Sequence, residues 1–387
     1  MSSRDRLLTA MRGQQPDRVP ISPRMHPFLL EYYGCACWLH YLRAAEEFGF
    51  DPIVLLQPWH HVKPDPIPNY ISYPLDVDYS QLDEVSVELS VERIKDGVSI
   101  SRIIRTPRGA LNDKIEQMQG GGTYGIDPTP VIKEPLVREP EDLERLPYLF
   151  PDPGKLDLGD IGEIIRVVGE RGLVEVQIDS AIDQRAGDAY GLSNLMMACY
   201  DDPDFVTQLL RICQDQMLRE TEAVLEAGVQ VVFASWFYAS LSAGWSPKFY
   251  RKLFLPLAKE HVDLVHSYGA LYHYYDDGKC VAILDDIVAS GADVISTLAP
   301  PPFGDMDLAK VKARLGDQVC LMGNVDLLYV VKQGTPGEIE EAVRKAIEAA
   351  APGGGYILAT SDAIRDGTPP ENVRAFCEAG RRYGQYT

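Results

Sequence analysis

The residues able to do chemistry fall in a few short stretches. His273-Tyr-Tyr-Asp-Asp277 sets an imidazole beside two phenols and two carboxylates. A neutral imidazole can bind a metal or move a proton near neutral pH. Tyr275 and Asp276 can protonate a leaving oxygen, although one aspartate of Asp276-Asp277-Gly278 also suits a helix-entry cap. Trp59-His60-His61 offers two more imidazoles, which point to opposite sides of an extended segment, so one of them at most faces a given pocket. His26, one of His60 and His61, His273 and a carboxylate form a donor set that zinc or another divalent ion accepts. Asp179, Asp183, Asn324, Asp326, Ser361 and Asp362 complete the polar candidates. Trp236, Phe237, Tyr238, Tyr274 and Tyr275 supply rings that could line a pocket for a flat or apolar substrate, or pack in a core.

Positioning these groups requires a repeating scaffold, and the chain has one. Short aliphatic runs recur at Val19-Pro-Ile-Ser22, Asp51-Pro-Ile-Val-Leu-Leu56, Leu173-Val-Glu-Val-Gln-Ile178 and Val229-Gln-Val-Val-Phe-Ala234. Four more follow at Ala270-Leu-Tyr-His273, Val294-Ile-Ser-Thr297, Val319-Cys-Leu-Met322 and Tyr356-Ile-Leu-Ala359. Amphipathic stretches lie between them, several ending in glycine, as at Gly228, Gly269 and Gly291. Alternating strands and helices predict a parallel sheet, and eight units predict an α/β fold of the (β/α)8 TIM-barrel type, one domain over 1–387. Prolines and the alternating Ser86–Glu92 and Val98–Ile104 runs break the rhythm between about 62 and 170, where we expect an inserted β-hairpin and loop region after strand two. Barrel enzymes work at the C-terminal strand ends. That is where His26, Trp59, His60, Asp179, Trp236, Tyr238, His273, Asn324 and Asp362 fall in this reading.

A net charge of −20 excludes nucleic acid and anionic membrane surfaces as expected partners. The sequence has no apolar run long enough for a membrane helix, and its first residues are too interrupted for a signal peptide, so a cytoplasmic location is expected. The seven cysteines have irregular spacing and read as reduced, mostly buried thiols; Cys35-Ala-Cys37 would need further ligands nearby to hold a metal. The sequence carries no phosphate loop, dinucleotide fingerprint or serine-triad signature. Exposed barrel helices make a homodimer a natural assembly.

Several segments carry a resemblance. Gly323-Asn-Val-Asp326, Gly334-Thr-Pro-Gly-Glu-Ile-Glu340, Gly354-Gly-Tyr-Ile-Leu358, Pro369-Pro-Glu-Asn-Val373, Ser246-Pro-Lys-Phe-Tyr250, Tyr200-Asp-Asp-Pro203, Arg18-Val-Pro20 and Gly49-Phe-Asp-Pro52 together resemble the uroporphyrinogen-decarboxylase superfamily over most of the chain. The resemblance implies either cofactor-free decarboxylation of a tetrapyrrole or methyl transfer with a corrinoid protein, often with zinc. Asp51 matches the acid that faces pyrrole nitrogens in the decarboxylases. Their arginine-rich stretch is reduced here to Arg24, and Asp362 stands where they carry a histidine. The thiol-activating zinc branch carries His-x-Cys where this chain has His273-Tyr-Tyr275.

The implied function is a corrinoid-dependent methyltransferase or O-demethylase component, moving a methyl group between a small methylated donor and a cobalamin protein. His273, Asp276, Tyr275 and Asp51 would be catalytic, and Arg24, His26, Trp59, Asp179, Trp236, Tyr238, Asn324 and Asp362 would contact substrate. His273, His60 and His26 would hold a zinc ion. Two alternatives are a decarboxylase for a small acid or tetrapyrrole, with Arg24 or Arg185 facing it, and a non-catalytic binding barrel. The last would have His273 and Asp51 buried and paired with structural groups.

Overall fold

A computed structural model describes residues 1–57, 82, 84–118, 130–155 and 159–386. They divide into two compact units, Met1–Leu56 with Gly159–Gln177 and Val224–Thr387, and Gln57–Leu158 with Ile178–Ala223.

The strands, in chain order, are β1 Ile53–Leu56, β2 Ser86–Ile94, β3 Gly97–Thr106, β4 Gly109–Met118, β5 Val131–Glu134, β6 Leu173–Asp179, β7 Val231–Ser235, β8 Leu271–Asp276, β9 Val294–Thr297, β10 Cys320–Val325 and β11 Tyr356–Thr360. In the first unit, seven of them form a sheet in the order β1-β6-β7-β8-β9-β10-β11, and every pair whose register is resolved is parallel. All residues of β6, β7, β9 and β11 are buried, the pattern of strands covered on both faces. Helices connect them and end as expected: Gly228 and Gly269 take φ of 92° and 72°, conformations a side chain would oppose.

The expected first strand is shorter than its sequence suggests. Its regular pairing is one parallel bridge, Ile21 to Leu358. Pro20 has no N–H, and Pro23 ends the run, so few donors remain for a ladder. The segment still joins both edges of the sheet. Leu358 N–H donates to the Pro20 carbonyl at 2.9 Å, Ser22 N–H to the Leu358 carbonyl at 2.9 Å, and Asp51 N–H to the Ile21 carbonyl at 2.7 Å. The arrangement is consistent with a (β/α)8 barrel whose first strand is vestigial.

Helix Ser3–Met11 packs against the starts of the strands. Its Leu7, Leu8, Ala10 and Met11 share one buried cluster with Ile53, Leu173, Val231, Val294, Cys320 and Ile357, and Leu271 packs on it. Each buried leucine there contributes about 1.5–3 kcal/mol. The N-terminal end of the barrel is thereby filled with apolar side chains.

The second unit holds an antiparallel sheet, β2-β3-β4-β5. Its small core is Ile100 and Ile115, directly paired in register, with Leu89, Val91, Val98 and Ile132 against them. On the same two strands Arg102 and Asp113 face each other as a buried ion pair. Among the described residues, no helix is long and apolar enough to cross a membrane.

Candidate active site

Side chains alternate along a strand, and β8 shows what that does here. Leu271 joins the apolar floor. Two residues on, His273 is fully buried, its Nδ1 2.8 Å from Oε2 of Glu175 on β6 and its ring edge-on to Phe233 of β7, with centroids 4.9 Å apart. Two further, Tyr275 lies against the Phe233 ring at 5.0 Å. The intervening Tyr272 and Tyr274 point the other way, to His261 and Tyr250 on the helical layer. The odd positions thus build an inward column that becomes more polar toward the C-terminal ends.

Glu175 accepts only, so Nδ1 of His273 donates and the carboxylate fixes the ring. Its Nε2 is buried without a hydrogen-bond partner. That is the orientation of a metal-bound histidine, but zinc needs three or four ligands. Among the described residues, His273 belongs to no group of three His, Cys or acidic side chains close enough to share an ion. The expected set of His273, His26 and His60 is therefore not assembled by the described residues, and His60, like Trp59, lies outside them.

Above His273 sits a charged cluster. The Arg24 guanidinium lies 4.7 Å over the Tyr275 ring and 5.0 Å over Phe233, and its Nη1 is 3.4 Å from Oδ1 of Asp362. Arg365 donates to the other oxygen of Asp362 at 2.7 Å. The Tyr275 hydroxyl is 3.3 Å from Asp277 and 3.4 Å from Asp362. Burial first, and then the charges of Asp362 and Asp277, hold the Tyr275 phenol well above its ordinary range, so it remains a proton donor. Burial, with the Asp362 charge beside it, also raises Asp277. His26 reaches solvent at the rim yet is ringed by protein; that surrounding and then Arg24 push it down to about 4.

Several expected site residues have other tasks. Asp51 precedes β1 and lies at the opposite end of the barrel from the mouth. It is fully buried, bonded to Arg6 at 2.6 Å, to Arg18 at 2.8 and 3.0 Å, to Ser3 at 2.8 Å and to the Ile21 N–H at 3.0 Å. These five bonds give its carboxylate a structural task. Of the two residues whose structural pairing would favour a non-catalytic barrel, Asp51 is fully engaged and His273 keeps one nitrogen open. Asp276 points away from the Arg24 cluster, accepts from the Gly278 N–H at 2.8 Å and lies beside the Cys280 thiol; burial drives it up to about 8. It is the turn-forming aspartate of the pair, and Asp277 is the one facing the cluster.

Trp236 is fully buried on the helical side of the sheet, stacked on Tyr274 at 5.9 Å and donating to the Tyr272 hydroxyl at 2.9 Å. Tyr238 is half-buried, packed edge-on to Phe237, with its carbonyl bonded to Trp245. Asn324 donates to the Leu298 carbonyl at 3.1 Å, tying the loop after β9 to β10. In the second unit, the Asp179 carbonyl accepts from Arg185, whose guanidinium is committed to Glu220 in a buried pair.

The sequence reading names Asp277 but not Glu175, Arg365 or Phe233. A signal for Glu175 existed: Leu173, Glu175 and Gln177 share one face of a strand otherwise rich in valine, and a period-two test would have placed the acid inward.

The sequence profile described as uroporphyrinogen decarboxylase (URO-D) matches residues 115–383. The chain belongs to the URO-D family. Among its relatives, the URO-D enzyme of Nostoc punctiforme is 27% identical over 331 residues, covering 80% of this chain and 85% of the relative. The chloroplastic enzyme of Nicotiana tabacum is 27% identical over 332 residues, covering 80% and 78%. A solved methyltransferase from Methanosarcina mazei shares the fold with a TM-score of 0.67 at 19% identity, over 99% of both chains. One fold, then, carries relatives named for decarboxylation and a structural neighbour named for methyl transfer.

Proposed function

We propose that this URO-D family member is a methyltransferase component that takes a methyl group from a small methylated donor and passes it to a cobalamin protein. The observation that carries the reading is the charge balance of the mouth. Arg24 is neutralised by Asp362 and lies flat on two rings, and Arg365 is also paired to Asp362. Among the described residues of this cluster, both arginines are engaged by Asp362, which suits a neutral donor better than a polycarboxylate.

Methyl transfer from an ether or alcohol breaks a C–O bond, leaves the electron pair on oxygen and needs a proton there. Tyr275 and Asp277, both held toward their protonated forms, can supply it. The partner's corrinoid supplies the methyl acceptor. Phe233 and Tyr275 offer an apolar wall for the donor, and Glu175 with His273 fixes the pocket floor. On the loops after β9 and β10, Phe303 and Tyr329 are stacked at 5.7 Å and about half exposed (48% and 50%), an apolar surface of the kind a docking protein covers.

A second reading, decarboxylation of a small acid, draws on the names of the curated relatives and requires Arg24 to exchange Asp362 for a substrate carboxylate. One assay separates the two. The chain is incubated with reduced cobalamin and a panel of methoxylated aromatics, methanol and methylamines, and with small carboxylic acids in parallel. Formation of methylcobalamin, lost in Asp277→Asn, supports methyl transfer. Carbon dioxide release without methylcobalamin overturns it in favour of the second reading.

A further inference from the structure

The fold gathers two cysteines and a histidine outside the Arg24–His273 constellation. Helix His26–Tyr33 ends at Gly34, whose φ is 75°, and helix Trp38–Ala44 starts after Cys37. The turn between them carries Cys35 and Cys37, and His40 follows on the next helix. Cys37 and His40 are three positions apart, a spacing that brings side chains to one side of a helix start. The two Sγ atoms and one ring nitrogen of His40 all lie within 4.8 Å of one another.

The local hydrogen bonds also orient these atoms. The Cys37 backbone N–H donates to the Cys35 Sγ at 3.2 Å, which holds that sulfur on the inner side of the turn. Nδ1 of His40 is 3.0 Å from the Cys35 carbonyl. A carbonyl only accepts, so Nδ1 carries the proton and the lone pair is on Nε2, where it can meet a metal. The His40 ring is also stacked on Tyr33 at 5.1 Å, which fixes its plane. Access is open: Cys35, Cys37 and His40 are all partly exposed, whereas the other five cysteines are buried.

We propose that Cys35, Cys37 and His40 form a binding site for zinc or a zinc-class divalent ion, with solvent as the fourth ligand. Two thiolates and one imidazole select a borderline-soft ion over magnesium or calcium. Tetrahedral zinc holds sulfur and nitrogen ligands about 3.5–3.8 Å apart, so the set must close by roughly an ångström at most. Small turn and rotamer movements achieve that. The site is independent of the methyl-transfer reading, because none of its ligands belongs to the Arg24–His273 constellation.

The test uses the full chain, reduced and stripped with chelator, and cobalt(II) or zinc(II) alone as the probe. Cobalt should bind at one ion per chain, with the near-ultraviolet band of thiolate ligation and the visible bands of a tetrahedral ion. Zinc should displace it. A thiol reagent should modify two cysteines quickly in the stripped protein and none quickly in the zinc-loaded one. Cys37→Ser and His40→Ala should each weaken binding by more than the ~10–100-fold typical of losing an outer-shell partner. Cobalt bands unchanged in Cys37→Ser, absence of metal uptake by the wild type, or a Cys35–Cys37 disulfide that persists with zinc present under reducing conditions would each overturn the proposal. Thiol protection on the wild type keeps the test valid should a variant fail to fold.

Discussion

Asp51→Asn separates a structural acid from a catalytic one. The carboxylate is fully buried and joins helix Ser3–Met11, through Ser3 and Arg6, to Arg18 and to the backbone of the vestigial first strand. Asparagine keeps the shape but loses the charge and turns one acceptor into a donor aimed at a guanidinium. Removing one partner of a buried ion pair costs about 3–5 kcal/mol, a large share of a typical stability of about 5–15 kcal/mol. With an unfolding entropy of about 2.1 cal/mol/K per residue, the change lowers the Tm of a 387-residue chain by about 4–6 °C. Calorimetry of wild type and variant measures it, with turnover recorded well below both transitions. The expected result is a lowered Tm with turnover kept within a few-fold. An unchanged Tm with turnover abolished would refute the assignment and return Asp51 to the chemistry.

Asp276→Asn should alter how stability depends on pH. The folded pKa is raised from 3.8 to about 8, so the stability it permits is whole below about pH 4, falls as pH rises toward 8 and is flat above. The asparagine variant should match the wild type near pH 4 and exceed it at pH 8 by something on the order of 5 kcal/mol; parallel urea melts that do not converge at low pH would contradict this. Glu175→Gln replaces a charge-assisted bond to His273 with a neutral one, costing about 1 kcal/mol of stability, and should lower kcat more than it raises KM; an effect on KM alone would make the pair a binding element. Asp277→Asn should remove the alkaline limb of the rate profile, because a raised carboxyl donates its proton below its pKa and loses it above. A profile identical to wild type would exclude Asp277 as the donor.

The strand-and-helix rhythm was readable because buried parallel strands are short aliphatic runs, and seven of the eight expected runs are strands. The eighth was blurred by Pro20, which leaves too few donors for a ladder. At the site, His273 and Tyr275 were legible as polar residues ending an apolar run. Asp51 entered the catalytic set through the resemblance alone; it precedes β1, where Arg6, Arg18 and Ser3 hold its carboxylate. Asp276 and Asp277 differ by one position and point to opposite sides, a choice that depends on the turn at Gly278. Trp236 was misjudged for the same reason: the residue after β7 turns outward to meet Tyr272. Cys35 and Cys37 lacked a visible third ligand until the helix start brought His40 beside them.

The bridge from Ile21 to Leu358 also bears on how the molecule comes into being. Translation makes the segment around Pro20 long before its pairing partner. Until Leu358 is made, the strand edge that Ile21 will share with it has no neighbour. Joining such distant segments carries a loop-closure cost and slows folding. Closure of this edge therefore follows assembly of the Asp51–Arg6–Arg18 knot, whose residues are all made before Leu358. A nascent chain stalled before Leu358 should hold that knot and still expose an open edge, the surface on which chaperone contact or mispairing between chains would concentrate.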